Sequence, residues 1–205
     1  MINSRRKILH AIMYCVAVFP SAVSSANSAD ANQTDSYTIV VNFSNRTEAL
    51  ESEVLLAQAQ CSRIFAAINV HIQWGDVNEK NATSEEVFYV VIRLSPYKLI
   101  ENRPNTSDIL GMAFPDTRVA FIFSDQVKRF GDCTHLEGCS LLGIVIAHEI
   151  GHLVLPGSRH TTQGVMAKSL DSKQTKEPRF TPKEAKAIRL FLKSSEKRKA
   201  PHAVW

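Results

Sequence analysis

The sequence predicts an α/β fold of the α+β kind, a mixed sheet carrying helices. Three observations lead there. Tyr37 to Phe43 is dense in β-branched and aromatic residues, whereas from Thr47 the apolar residues recur at spacings of three and four, so a strand gives way to a helix. Several short β-rich runs then follow one another before the next helical pattern begins. That next pattern, Leu141 to Leu155, is almost continuously apolar and must be buried on nearly every side. Strand, helix, several strands and then helices is the order of a mixed sheet with helices packed on it.

The elements follow from the amino terminus. Arg5, Arg6 and Lys7, the apolar stretch Ile8 to Val23 and the small residues Ser24, Ser25 and Ala26 read as an export signal over residues 1–26, cleaved after Ala26. An apolar stretch of about 16 residues, carrying His10 and Pro20, is short of the roughly 20 that a membrane span requires. Residues 27–36 are small and polar and read as a flexible mature start. The domain is expected over 37–198, followed by a polar tail at 199–205.

Within the domain the first helix carries the stripe Leu50, Val54, Ala57, Cys61, Ile64, Phe65 and Ile68. Val70 to Trp74 and Val87 to Leu94 read as strands, and Glu101 to Asp108 as a polar loop. Gly111 to Pro115 reads as a short edge strand and Val119 to Phe123 as a buried one. The helix over Leu141 to Leu155 is stopped by Pro156 and Gly157, since proline restrains the residue before it and glycine permits a left-handed exit. A last helix starts at Thr181, with Pro182 in its first turn and Glu184 completing a capping box; Ala185, Ile188 and Leu192 dock it.

Composition narrows the function. The chain of 205 residues has 24 basic and 20 acidic side chains, but three of the basic ones lie in the signal, leaving the mature chain near +1. The basic balance is therefore a targeting feature, and no nucleic-acid partner is expected. No second apolar run reaches spanning length, so the mature chain is expected without stable membrane insertion and outside the cytoplasm, secreted or periplasmic. Of the cysteines beyond the signal, Cys61 falls in the helical stripe and reads as a small buried residue. Cys133 and Cys139, in the turn-rich run GDCTHLEGCS, are expected to close a small disulfide loop; a metal site with His135 is the rival reading.

The chemistry lies in HEIGH, His148 to His152. Positions four apart stack on one helical face, so His148 and His152 can aim two imidazoles at one metal ion. Glu149, turned by about 100° on the same helix, can hold a water beside the metal and take its proton as the water attacks a carbonyl. A catalytic zinc takes three protein ligands, and His160, beyond the break at Pro156 and Gly157, is the expected third. Gly151 costs about 1 kcal/mol in a helix, and its bare α-carbon suits the close approach of another segment. Three polar side chains in an apolar helix are costly unless a metal compensates them. One Zn2+ is therefore expected.

With these residues in place, His148 to Met166 resembles the metzincin clan of zinc metallopeptidases, whose pattern is HExxHxxGxxH followed by a methionine turn. His148, Glu149 and His152 match its first part, Gly157 to His160 its GxxH, and Met166 its turn methionine. The chain departs in one respect: Gly157 falls five positions after His152 where the clan has three, an insertion of Leu155 and Pro156. The resemblance implies a zincin-like catalytic domain with a twisted mixed sheet, a long backing helix, an active-site helix and a C-terminal helix. It implies endopeptidase activity on a peptide or protein bound in extended form along the edge strand, with Met166 as a packed floor below the metal. Thr161 stands where many secreted matrixin-like members have serine, pointing to that branch, whereas the extra cysteines of archaemetzincins beyond the third histidine are missing. No tyrosine follows Tyr97, so oxyanion stabilisation would fall mainly to zinc.

Two rival readings remain at this level. A gluzincin-like site would take its third ligand from a later helix, and Glu177 and Glu184 stand 25 and 32 residues beyond His152. A zinc-containing binding module without catalysis would use the same histidines, although it has little need of Glu149.

Overall fold

A computed structural model of the chain describes residues 36–75, 87–96, 109–134, 138–155, 157, 160–169 and 175–196. The expected signal, most of the mature start, the loop at 101–108 and the tail at 199–205 lie outside the described residues. Strand β1 (Tyr37–Asn45) is followed by helix α1 (Glu51–Ala66), strands β2 (Val70–Trp74), β3 (Val87–Ser95), β4 (Gly111–Phe114) and β5 (Val119–Phe123), and helices α2 (Ser124–Thr134), α3 (Gly138–Val154) and α4 (Pro182–Glu196).

The strands form one mixed sheet in the order β2-β1-β3-β5-β4. β1 runs parallel to β2 and β3, β3 runs parallel to β5, and β4 lies antiparallel to β5 at one edge. Register places Ile39 beside Ile72 and Phe88, and Val41 beside Trp74 and Val90, so one face of the sheet carries rows of apolar side chains. These pack with residues of α1, α3 and α4 in a single buried cluster. The mixed sheet carrying helices is as the sequence predicts.

In α1 the stripe Val54, Ala57, Cys61, Ile64 and Phe65 is buried. Leu50 departs from the expected stripe: it is the N-cap residue and 64% exposed, its backbone N–H donating to the Glu53 carboxylate at 3.2 Å. α1 backs α3 directly, and α3 in turn reaches β4 and β5. This stack aims the far end of α3 at the edge of the sheet. A last correction to the element list is α2, which the turn-rich composition of its second half concealed. It presents Gln126, Val127 and Gly131 to the interior and leaves most of its remaining residues at least partly exposed.

The Cys133–Cys139 disulfide is not formed. Cys133 is a free, exposed thiol. Much of the segment expected as a small disulfide-closed loop is helical: Cys133 sits in the last turn of α2, and Cys139 is the second residue of α3. Helical backbone sets the direction of a side chain, and at Cys133 that direction is towards solvent. His135, the third member of the rival cysteine site, lies outside the described residues. Cys61 is buried, and burial pushes its thiol well above the ordinary range, in keeping with an unreactive core residue.

Candidate metal centre

The last turns of α3 are anchored by Ile144, Ile146, Ala147, Ile150 and Val154, all fully buried. With the helix fixed on those sides, His148 and His152 are left half-buried one turn apart. Leu155 carries the helical hydrogen bonding one residue further, its N–H donating to the Gly151 carbonyl at 2.9 Å. Gly157 then takes φ +72°, a left-handed conformation that favours glycine. Beyond it the chain returns, and exposed His160 meets the two helical histidines.

The return is held by a compact turn. Thr161 donates its N–H to the Met166 carbonyl at 2.9 Å, Ala167 to Gly164 at 3.1 Å, and Lys168 to Thr161 at 3.3 Å. Met166 is fully buried, and its sulfur lies so close to Gly151 that a Cβ there would stand 2.3 Å from Sδ. The bare α-carbon of Gly151 therefore serves close approach by the methionine turn, as its presence in a helix suggests.

The three histidines offer nitrogens that all lie within 4.8 Å of one another. His152 Nε2 is 2.9 Å from His148 Nε2 and 3.2 Å from His160 Nε2. Tetrahedral zinc with Zn–N bonds of about 2.0–2.1 Å separates its nitrogen ligands by about 3.3–3.4 Å, so the two spacings fall slightly short of that and a small outward adjustment of the rings would admit one ion. His148 Nδ1 donates to the Val165 carbonyl at 2.7 Å, which leaves the lone pair on Nε2 facing the other two rings. Burial lowers the His148 pKa, with His160 adding to the effect and the Val165 carbonyl and Glu184 opposing it. His152 is held down to about 4 by burial and by the neighbouring His148 and His160. Both rings are thus neutral near pH 7, the form that ligates a metal. Convergent imidazole lone pairs have no use for one another, and a divalent cation satisfies them. The site can hold one zinc ion.

Glu149, the residue after His148 on α3, lies against the edge strand. A Cβ on Gly111, the first residue of β4, would stand 2.7 Å from Cγ and Oε1 of Glu149, so glycine makes the room that the carboxylate occupies. Glu149 is 5% exposed, and burial pushes its carboxyl up to about 8; a cation held by the histidines acts in the opposite direction.

The rival glutamates are placed elsewhere. Glu177 is exposed and paired with Arg179. Buried Glu184 accepts from the Thr181 N–H at 2.7 Å through one oxygen and from the Thr161 hydroxyl at 2.9 Å through the other. Among the described residues, the three histidines form the metal-capable cluster, and neither glutamate joins it. Sequence reasoning brought His148, His152, His160, Glu149 and Met166 to this region and missed Gly111, the Val165 carbonyl and the Thr161–Glu184 link. The sequence pointed to Glu184 as a capping residue and as a rival ligand; the cap forms, and it is half of what that residue does.

No family model matches the chain, and no curated protein sequence matches it. Distant likenesses occur among solved structures. A zinc-dependent peptidase from Methanocorpusculum labreanum (strain Z) aligns with a TM-score of 0.46 and 15% identity, covering 75% of this chain and 99% of the other. Archaemetzincin from Methanopyrus kandleri aligns with a TM-score of 0.44 and 15% identity, covering 79% and 98%. Archaemetzincin from Archaeoglobus fulgidus, complexed with malonate, gives 0.42 and 15%, covering 73% and 99%. At this distance the functional reading rests on the site itself.

Proposed function

We propose that the domain is a zinc-dependent endopeptidase of metzincin type. One observation carries this reading: three histidine nitrogens converge beside a buried glutamate that lies against the edge strand of the sheet. His148, His152 and His160 would hold the ion. Bound zinc supplies Lewis acidity, polarising a substrate carbonyl and lowering the pKa of a water molecule. Glu149 takes the proton from the attacking water and returns it to the leaving nitrogen, so that one carboxylate serves as base and then as acid. Met166, packed against Gly151, forms the floor of the site.

The substrate is a peptide or protein segment. β4 is the edge of the described sheet, and a segment paired with it in extended form would pass beside Glu149. The matrixin-like branch has weaker support, because the hydroxyl of Thr161 is engaged by Glu184 and the residue at that position serves the local turn. A non-catalytic zinc module is disfavoured by Glu149, since a structural site has no need of a buried base beside it. Among the described residues no helix is long and apolar enough to cross a membrane. The basic, apolar and small-residue pattern of residues 1–26 supports export, and with it a secreted or periplasmic place of action.

Metal analysis paired with cleavage of a diverse peptide library tests the proposal. The wild type should bind one zinc and cleave. Glu149→Gln should retain the zinc while kcat/KM falls by about 10²–10⁴-fold, and His160→Ala should lose most of the zinc. A wild-type protein that binds one zinc and cleaves nothing in the library would overturn the enzyme reading.

A further inference from the structure

His148 and His152 inherit their positions from a packed helix, whereas His160 is exposed and approaches over a turn lengthened by two residues. Its placement needs a restraint from the other direction. Consecutive α-carbons are fixed about 3.8 Å apart, so whatever holds Thr161 also limits His160. Thr161 is held through both its backbone and its side chain. Its backbone N–H donates to the Met166 carbonyl at 2.9 Å, and its hydroxyl reaches Glu184 Oε1, 23 residues further along, at 2.9 Å. The carbonyl of Gln163 lies 2.8 Å from the same hydroxyl, but a single hydroxyl proton favours the carboxylate, which is the stronger acceptor.

The capping box alone does not account for Glu184. A glutamate at the third position of a helix needs one oxygen to reach back to the cap, and Glu184 Oε2 does this at the Thr181 N–H, with Thr181 Oγ1 accepting from the Glu184 N–H at 3.3 Å. An ordinary cap of this kind sits at the surface. Glu184 is instead 5% exposed and spends its second oxygen on the residue that follows a metal ligand. A buried carboxylate with both oxygens engaged is a rigid strut between the first turn of α4 and the turn bearing His160.

We infer that Glu184 is a positioning residue for the metal centre, coupling α4 to His160 through Thr161. The inference rests on the reading of His160 as the third ligand. Partners of this sort, one step behind the ligands, shift metal affinity by about 10–100-fold when removed. Coupling of this kind is reciprocal: if the start of α4 helps to hold the metal, the metal must help to hold the start of α4.

Thr161→Val is the discriminating variant, because it cuts the strut and leaves the cap of α4 whole. Zn2+ affinity, measured by chelator competition on the full mature chain, should weaken by about 10–100-fold, and the visible spectrum of the Co2+-loaded protein should change. Thr161→Ser should restore both. Glu184→Gln should weaken Zn2+ affinity less than Thr161→Val, because its amide oxygen can still accept from the Thr181 N–H and its amide nitrogen can donate to the Thr161 hydroxyl, leaving only the charge of the link lost. In hydrogen exchange, Zn2+ should slow the Thr181 amide in the wild type and fail to do so in Thr161→Val. Wild-type affinity and an unchanged Co2+ spectrum in Thr161→Val, with metal binding lost in His160→Ala, would overturn the coupling and leave the ligand assignment standing. Wild-type affinity in His160→Ala would remove the assignment and the coupling together. A loss in Thr161→Val matched by an equal loss of stability in the metal-free protein would reduce Glu184 to a structural residue.

Discussion

The two sides of the metal centre are built on different physical terms. His148 and His152 stand on α3, where Ile144, Ile146, Ile150 and Val154 are fully buried and helical geometry alone sets the spacing of the rings. His160 stands on a turn held by a handful of hydrogen bonds, by the left-handed residue Gly157 and by the sulfur of Met166 pressed onto Gly151. The helical side is specified by pattern, and any buried amphipathic turn with histidines four apart would reproduce it. The turn side is specified by contact between segments remote in sequence. Each perturbation below should therefore affect the two sides unequally.

The largest effect is expected where the turn packs beneath the helix. Met166 is fully buried, and truncation to alanine should cost about 2–5 kcal/mol in denaturant unfolding of the metal-free protein. Leucine at the same position keeps most of the volume and should cost less than about 1.5 kcal/mol. If Met166 serves as floor and not as ligand, Met166→Leu should also retain one zinc. Loss of zinc in a leucine variant that unfolds normally would show that the sulfur does more than pack.

A smaller effect is expected on the helical side of the same contact. Two influences oppose each other in Gly151→Ala: helix propensity favours alanine by about 1 kcal/mol, while overpacking typically costs about 1–3 kcal/mol. The close contact decides the sign, because a Cβ at 2.3 Å from Met166 Sδ cannot be accommodated without movement. The variant should be less stable than the wild type by equilibrium unfolding, although alanine is the better helix former. A stabilised Gly151→Ala would mean that the turn does not rest on the helix at this point.

The same division explains what could be read in advance. The strands are announced by their composition, and α3 is written in consecutive residues. The capping box at Thr181 and Glu184 is also local, and it forms. The reach of Glu184 to Thr161, the space beside Gly111 for Glu149, and the Val165 carbonyl behind His148 each join residues far apart in the chain. No spacing rule contains them. The Cys133–Cys139 pairing failed for a related reason: glycines and polar residues suggested a loop, but both cysteines lie in helices, α2 and α3. α2 went unseen because its interior contacts are few, and Val127 and Phe130 alone make a faint stripe.

The smallest expected effect lies at the exit from α3, and it separates two roles for Gly157. Its φ of +72° disfavours any residue with a Cβ, yet nothing stands within 4 Å of where that Cβ would be, so Gly157→Ala carries backbone strain without a clash. The strain should cost about 1 kcal/mol. If the left-handed exit merely ends α3, metal-free and zinc-loaded protein should lose the same amount. If it is needed to bring His160 to the helical pair, alanine will relax the turn when the metal is absent and be forced back when zinc binds. The loss then appears mainly in the loaded protein, as weaker zinc affinity: about 1.4 kcal/mol for each tenfold change in the dissociation constant. Unfolding midpoints measured with and without zinc distinguish the two. Equal losses would assign the left-handed exit at Gly157 to helix termination alone.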